Sequence, residues 1–189
     1  MNQRIKFLLL IAVFLVPTLA SFIVFYFFPP EKTGNYGELV SPIVTLQPTP
    51  LSRLDHSRAV IGDSLRGKWL LITRDTGACE QPCRKKLYAM RQARLMLGRD
   101  QDRILLVILV DDDIAPSTQL QKEFDGAVWI AARSLPWLAS LPSTGNVGGR
   151  AWIHGVDPLG NVFIRYSADP DIRKMSRDLQ RVLKASQIG

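Results

Sequence analysis

The chain has 189 residues, of which 47% are apolar and 22% charged. That is room for one globular domain with a short appendage, and it excludes wholesale disorder. Two cysteines exclude a disulfide scaffold, two histidines exclude a His-rich metal cage, and Lys+Arg 24 against Asp+Glu 17 leaves a formal charge of +7.

Residues 1–6 carry Arg4 and Lys6, and from Phe7 to Phe28 there is no charged residue, a run of 22. A helix of that length crosses a hydrocarbon core of about 30 Å. Pro29 and Pro30 then stop it. The rival reading is a cleaved secretory signal ending near Thr18-Leu19-Ala20. The apolar run continues well past such a site, which favours an anchor over residues 7–28. Arg4 and Lys6 keep the N-terminus in the cytoplasm by the positive-inside rule. The expected arrangement is a single pass of the inner membrane with the C-terminal domain in the periplasm, where disulfides persist. Nucleic acid is not an expected partner there.

Residues 29–64 are rich in Pro, Ser, Thr and Gly and read as a linker, with one early strand around Ile43–Leu46. His56 in this segment reads as a solvated or locally bonded histidine. A domain is expected over 65–189. Lys68–Thr73 is an apolar strand. Pro82 suits the first turn of a helix that runs from Cys83 to Leu97. Arg103–Val110 is a strand buried on both faces. Ser117–Phe124 forms a short helix and Ala127–Ile130 a short strand. Ala151–Val156 and Asn161–Tyr166 flank Asp157-Pro158-Leu159-Gly160, which reads as a hairpin turn. Asp169 and Pro170 open a last helix with an apolar stripe at Ile172, Met175, Leu179, Val182 and Leu183. The order β-α-β-α, then β-β-α, is the thioredoxin pattern, one α/β option among several.

Cys79-Glu80-Gln81-Pro82-Cys83 sets two sulfurs four residues apart where a strand hands over to a helix. Positions i and i+4 share a helix face. Two chemistries suit that geometry: paired thiolates hold a soft ion such as Cu(I), and the same pair closes to a disulfide and exchanges electrons. Arg74, Arg84, Lys85 and Lys86 would stabilise thiolate if near in space. A disulfide closing so short a loop is a poor structural staple.

Other constellations carry less. Asp111, Asp112 and Asp113 read as acids capping a strand end rather than a hard-cation site. Gly145, Gly148 and Gly149 lack the helix and lysine of a phosphate loop. Six basic residues and no acid between Arg84 and Arg99 make one helix face positive, suited to anionic lipid or an acidic membrane partner.

On these residues the chain resembles the Sco/SenC family, membrane-anchored thioredoxin-like proteins of cytochrome oxidase assembly. The residues that carry the likeness are the anchor, Leu65-Arg66-Gly67-Lys68-Trp69, the Cys79/Cys83 motif, Val110-Asp111-Asp112-Asp113 and the Asp157–Gly160 turn. The resemblance implies an α/β fold, a mixed central sheet flanked by helices behind a transmembrane helix. It implies copper as Cu(I) on Cys79 and Cys83 with a distal histidine. It also implies a membrane-bound respiratory oxidase subunit as client, served by copper delivery or by reduction of its cysteines. Two departures stand out: Arg84 follows the second cysteine where the family has proline, and the histidine position falls near Gly149 or Arg150. His154, the nearest histidine, is the candidate third ligand. A thiol-disulfide oxidoreductase and a non-catalytic assembly module are the alternatives.

Overall fold

The computed structural model describes residues 3–27, 34–49, 51–54, 67–143 and 149–186. His56, Leu65, Arg66, Gly145 and Gly148 lie outside them. The chain divides into two compact units, one ending at Gly34 and one starting at Asn35.

The first unit holds helix α1, Gln3–Phe27, 25 residues long. It has the length and apolarity of a membrane span. Its large side chains, Phe7, Phe14, Phe25 and Phe27 among them, are exposed. Pro17 lies inside it, and the Thr18 hydroxyl donates to the Phe14 carbonyl at 3.0 Å.

The second unit contains strands β1 (Glu38–Thr45), β2 (Ser52–Arg53), β3 (Trp69–Asp75), β4 (Ile104–Val110), β5 (Ala127–Ala131), β6 (Trp152–Val156) and β7 (Asn161–Ser167). Its helices are α2 (Gln81–Leu95), α3 (Thr118–Glu123) and α4 (Ile172–Ala185). All seven strands form one sheet in the order β1-β7-β6-β3-β4-β5-β2. β3, β4 and β5 run parallel; β6 is antiparallel to β3, and β7 is antiparallel to β6 and so runs in the direction of β3. This is the expected mixed sheet.

The centre of the sheet is apolar on both sides because its strands are near-continuous hydrophobic runs. Leu71, Val107, Leu109, Val110 and Ile130 are fully buried. On one face Leu71, Ile108 and Ile153 pack with Met90 of α2, Leu120 of α3 and Leu179 of α4. On the other, Leu70, Ile72 and Leu109 pack under Trp137, Leu138 and Leu141. The helices therefore all cover one face, and the segment around the short 3-10 turn Leu138–Ser140 covers the other.

The segment read as linker supplies both edge strands: β1 pairs with β7 and β2 with β5. β1 carries Pro42 after a cis peptide bond and is mostly exposed, which an edge strand tolerates. The Tyr36 and Gly37 amides both donate to Asp178 of α4 at 2.8 Å. Asp178 is buried, so one carboxylate secures the entry of the chain into the domain. Such a bond joins residues 141 apart or more in sequence, which periodicity does not report. The cap of α4 is also corrected: Asp171, not Asp169, accepts from the Lys174 amide. The hairpin turn forms as expected. Gly160 adopts a positive φ of 93° and donates to the Asp157 carbonyl at 2.9 Å, while the Asp157 carboxylate takes the amides of Leu159 and Asn161.

Candidate functional site at the β3–α2 junction

Cys79 and Cys83 are joined in a disulfide, with Cα atoms 5.0 Å apart. β3 delivers the chain to the sheet's end, and the tight loop 76–80 returns it into α2. Gly77 is required there: a side chain would strike the Ile114 carbonyl. Its amide donates to Asp112 at 2.9 Å, which draws the two loops together. Cys79 has a positive φ of 41°, an uncommon conformation for a residue with a Cβ. Cys83 lies in the first turn of α2 behind Pro82, where helix amides lack intrahelical partners. Both cysteines are almost wholly buried, but Cys83 lines a cleft of about 400 Å³ with Asp75, Glu80, Asp112, Ile114 and Arg150.

Beside the disulfide stands a charged cluster that the sequence reading did not assemble. The Asp111 carboxylate, 1% exposed, receives the Arg74 guanidinium on one side. On the other it takes Nε and Nη2 of Arg150 at 3.0 and 2.6 Å. Burial alone would push this carboxyl up, but the two guanidiniums prevail and hold it below the usual carboxylate range. Asp112 is spent on the Gly77 and Ile114 amides, and Asp113 pairs with Arg133 at the surface. The three acids thus do three different things: Asp112 caps loop amides as expected, Asp113 is paired at the surface, and Asp111 anchors two arginines.

Lys86 departs furthest from expectation. It is not on a basic surface but buried, 1% exposed. Its Nζ donates to Asp75 at 2.8 Å, to the Arg74 carbonyl at 3.0 Å and to the Arg150 carbonyl at 2.5 Å. Burial lowers its pKa, and the Asp75 carboxylate offsets part of that. The expected positive face of α2 is broken elsewhere too: Arg84 pairs with Glu123, Arg94 with Asp102, and Arg91 donates to the Glu123 carbonyl.

The candidate third ligand is not brought to the thiols. His154 lies opposite Ile72, and Ile153 opposite Thr73, on antiparallel strands. Opposed residues share a sheet face. Ile153 belongs to the same apolar layer as Cys79 and Cys83, whereas Ile72 belongs with Leu141 to the layer on the other side. His154 therefore points across the sheet from the disulfide, where its Nε2 is 3.0 Å from the Pro142 carbonyl. Arg150, one of the two residues near which the resemblance sets the family's histidine, lies on the cleft wall with Cys83. Among the described residues no three His, Cys, Asp or Glu side chains gather as a metal site.

His154 is fully buried, and that burial pushes its pKa down. Over the interval below about pH 6.5 the unfolded chain takes a proton that the folded one refuses, so stability falls as pH falls. His154→Gln keeps a donor for Pro142 and does not titrate. Urea unfolding between pH 7.5 and 5.5 should show a loss in the wild type that is visibly smaller in this variant. Parallel profiles would show that the imidazole is not the group responsible.

A thioredoxin-like sheet with a cysteine pair at the β3–α2 turn defines the class. A family profile described as transmembrane-like, thioredoxin-like, C-terminal domain matches residues 69–186, and the chain belongs to that family. Solved structures of the Sco/SenC family share the fold. ScoI of Bradyrhizobium japonicum with copper bound superposes with a TM-score of 0.57 at 18% identity, over 73% of this chain and 99% of that one. ScoI of Arabidopsis thaliana with copper bound gives 0.59 at 16%, over 76% and 100%. BsSco, a Sco family cytochrome c oxidase assembly protein in which a disulfide switch was identified, gives 0.56 at 16%, over 75% and 96%. No curated protein sequence matches the chain.

Proposed function

We propose that the chain is a membrane-anchored, thiol-active assembly factor for a respiratory cytochrome oxidase, its domain held on the periplasmic side of the inner membrane. Cys79 and Cys83 are its reactive pair. The observation that carries this is the disulfide at a strand-to-helix turn, with a cleft bordered by Cys83. The reduced pair passes two electrons and two protons to a client disulfide, leaving a client dithiol and the Cys79–Cys83 disulfide. A dithiol donor in the same compartment restores it.

Carriage of Cu(I) is the second reading, favoured by copper-bound proteins of the same fold. Two thiolates suit Cu(I) in low coordination, whereas Cu(II) wants further N or O ligands. Arg150 is a permanent cation and cannot coordinate, and His154 faces away, so among the described residues copper would rest on the two sulfurs.

The test uses the full chain in detergent, reduced, with an oxidase subunit whose cysteine pair is oxidised. Wild type should return the client thiols, and Cys79→Ser/Cys83→Ser should not. Equal reduction by the double variant would sink the proposal. In a parallel arm with a competing Cu(I) chelator, one ion per chain, lost in the double variant, would support carriage as well.

A further inference from the structure

We infer that the outer face of α4 is a docking surface for anionic lipid headgroups. This rests on the anchored reading of the chain and on neither reading of its cysteines. The inner face of α4 is committed to the core through Met175, Leu179 and Leu183. On the outer face Arg173, Lys174, Arg177, Arg181 and Lys184 are all exposed. At 3.6 residues per turn these five fall within an arc of about 100°, along roughly 17 Å of helix. The neighbouring acids do not enter that arc. Asp169 and Asp171 stand ahead of the first turn, and Asp171 caps it and lies 3.9 Å from Lys174. Asp178 is buried, where it takes the Tyr36 and Gly37 amides and Arg181 at 3.6 Å.

The chain enters the domain along this same helix. The Tyr36 hydroxyl accepts from the Asp171 amide at 2.8 Å, and the Lys174 ammonium lies over the Tyr36 ring, 5.5 Å from its centroid. Tyr36 follows nine residues after Phe27, the last residue of α1. A chain of that length reaches at most about 30 Å. An anchored chain therefore keeps α4 within reach of a bilayer at all times, and tethering makes a weak second contact intramolecular. Anionic headgroups attract Lys and Arg side chains within about a Debye length, roughly 10 Å at 0.1 M salt. The basic residues of α2 suit this less: Lys86 is buried, and Arg84 and Arg94 pair with Glu123 and Asp102. An acidic protein would meet the same charge on α4, but the bilayer is the surface that the tether always supplies.

The full chain in nanodiscs tests this by lysine acetylation. One set of discs is phosphatidylcholine, and the other holds equal parts of phosphatidylcholine and phosphatidylglycerol. Lys174 and Lys184 report on α4, Lys85 on α2 and Lys122 on α3, and all four are exposed. At low salt, acetylation of Lys174 and Lys184 relative to Lys122 should slow about threefold or more in the anionic discs. High salt should remove the difference. Arg173→Gln/Arg177→Gln should weaken the protection of both lysines, and two exposed side chains can be changed without disturbing the buried layer. Equal rates in the two lipids would overturn the inference and turn the search to an acidic protein. Slowing at Lys85 in place of α4, or at all four lysines alike, would overturn it too. A chain that enters neither disc would overturn α1 as the anchor, and the inference with it. Failure to reduce the client, with Lys174 and Lys184 protected as described, would overturn the thiol-active reading and leave this inference standing.

Discussion

Lys86→Ala should be the most damaging single change near the site, costing about 3–5 kcal/mol of stability. That is the range for breaking a buried ion pair by removing one partner. The loss has two parts. Asp75, with a side chain only 15% exposed, keeps its charge without its counter-ion. The carbonyls of Arg74 and Arg150 lose a shared donor, and a buried acceptor left unmade is costly. These two carbonyls belong to the end of β3 and to the 3-10 turn Gly149–Ala151, so the ammonium also fixes Arg150 against the cleft. Thermal unfolding should shift down by roughly 10 °C. Lys86→Met, with the stem kept, should lose somewhat less. Adding Asp75→Leu should recover part of that, because a neutral pair removes the orphaned charge. It should not recover all, because the two carbonyls stay unpaired. A Lys86→Ala protein with an unchanged midpoint would show that the buried ammonium does not hold this corner together.

The position of Lys86 was legible in the spacing, had the spacing been trusted over the side chain. Cys83, Lys86, Met90, Ala93 and Leu97 follow steps of three and four, the rhythm of one helix face, and all five are buried. A charged residue on an apolar stripe implies a partner waiting inside. Grouping it with its basic neighbours Arg84 and Lys85 hid that. The central strands were readable because burial on both faces demands unbroken apolar runs, and Ile104–Val110 is one. The hairpin was readable because its turn chemistry is local to Asp157–Gly160. Of the two edge strands only the end of β1 was readable, as the strand around Ile43–Leu46, since an exposed edge imposes little pattern. The Asp111 cluster was not, because Arg74 and Arg150 reach it from separate segments.

The same split holds for the site itself. A cysteine pair at a strand-to-helix turn is a local motif, and a spacing of four permits its disulfide. Which face a distant histidine presents depends on register, and register is set by pairing along the whole β3–β6 ladder. His154 shares a face with Trp152 and Val156 by alternation, as the sequence indicates. That this face is the one turned from α2 emerges only once Ile72 is found opposite it. A one-residue shift would have sent the imidazole to the other side.

Asp111→Asn should cost about 2–3 kcal/mol, in line with losing hydrogen bonds to charged groups, and should alter the site's charge at the same time. The cost is below that for Lys86 because the cations left behind, Arg74 and Arg150, are 31% and 50% exposed and can turn toward water. The pH dependence separates this residue from others. Its folded carboxyl titrates below the usual value of 3.8. The stabilisation is therefore present above about pH 4 and is lost as pH falls through the depressed folded value. The wild type should lose stability across that acid limb, and the Asn variant should lose visibly less. Superimposable acid limbs would show that the carboxylate is not the anchor of the two arginines.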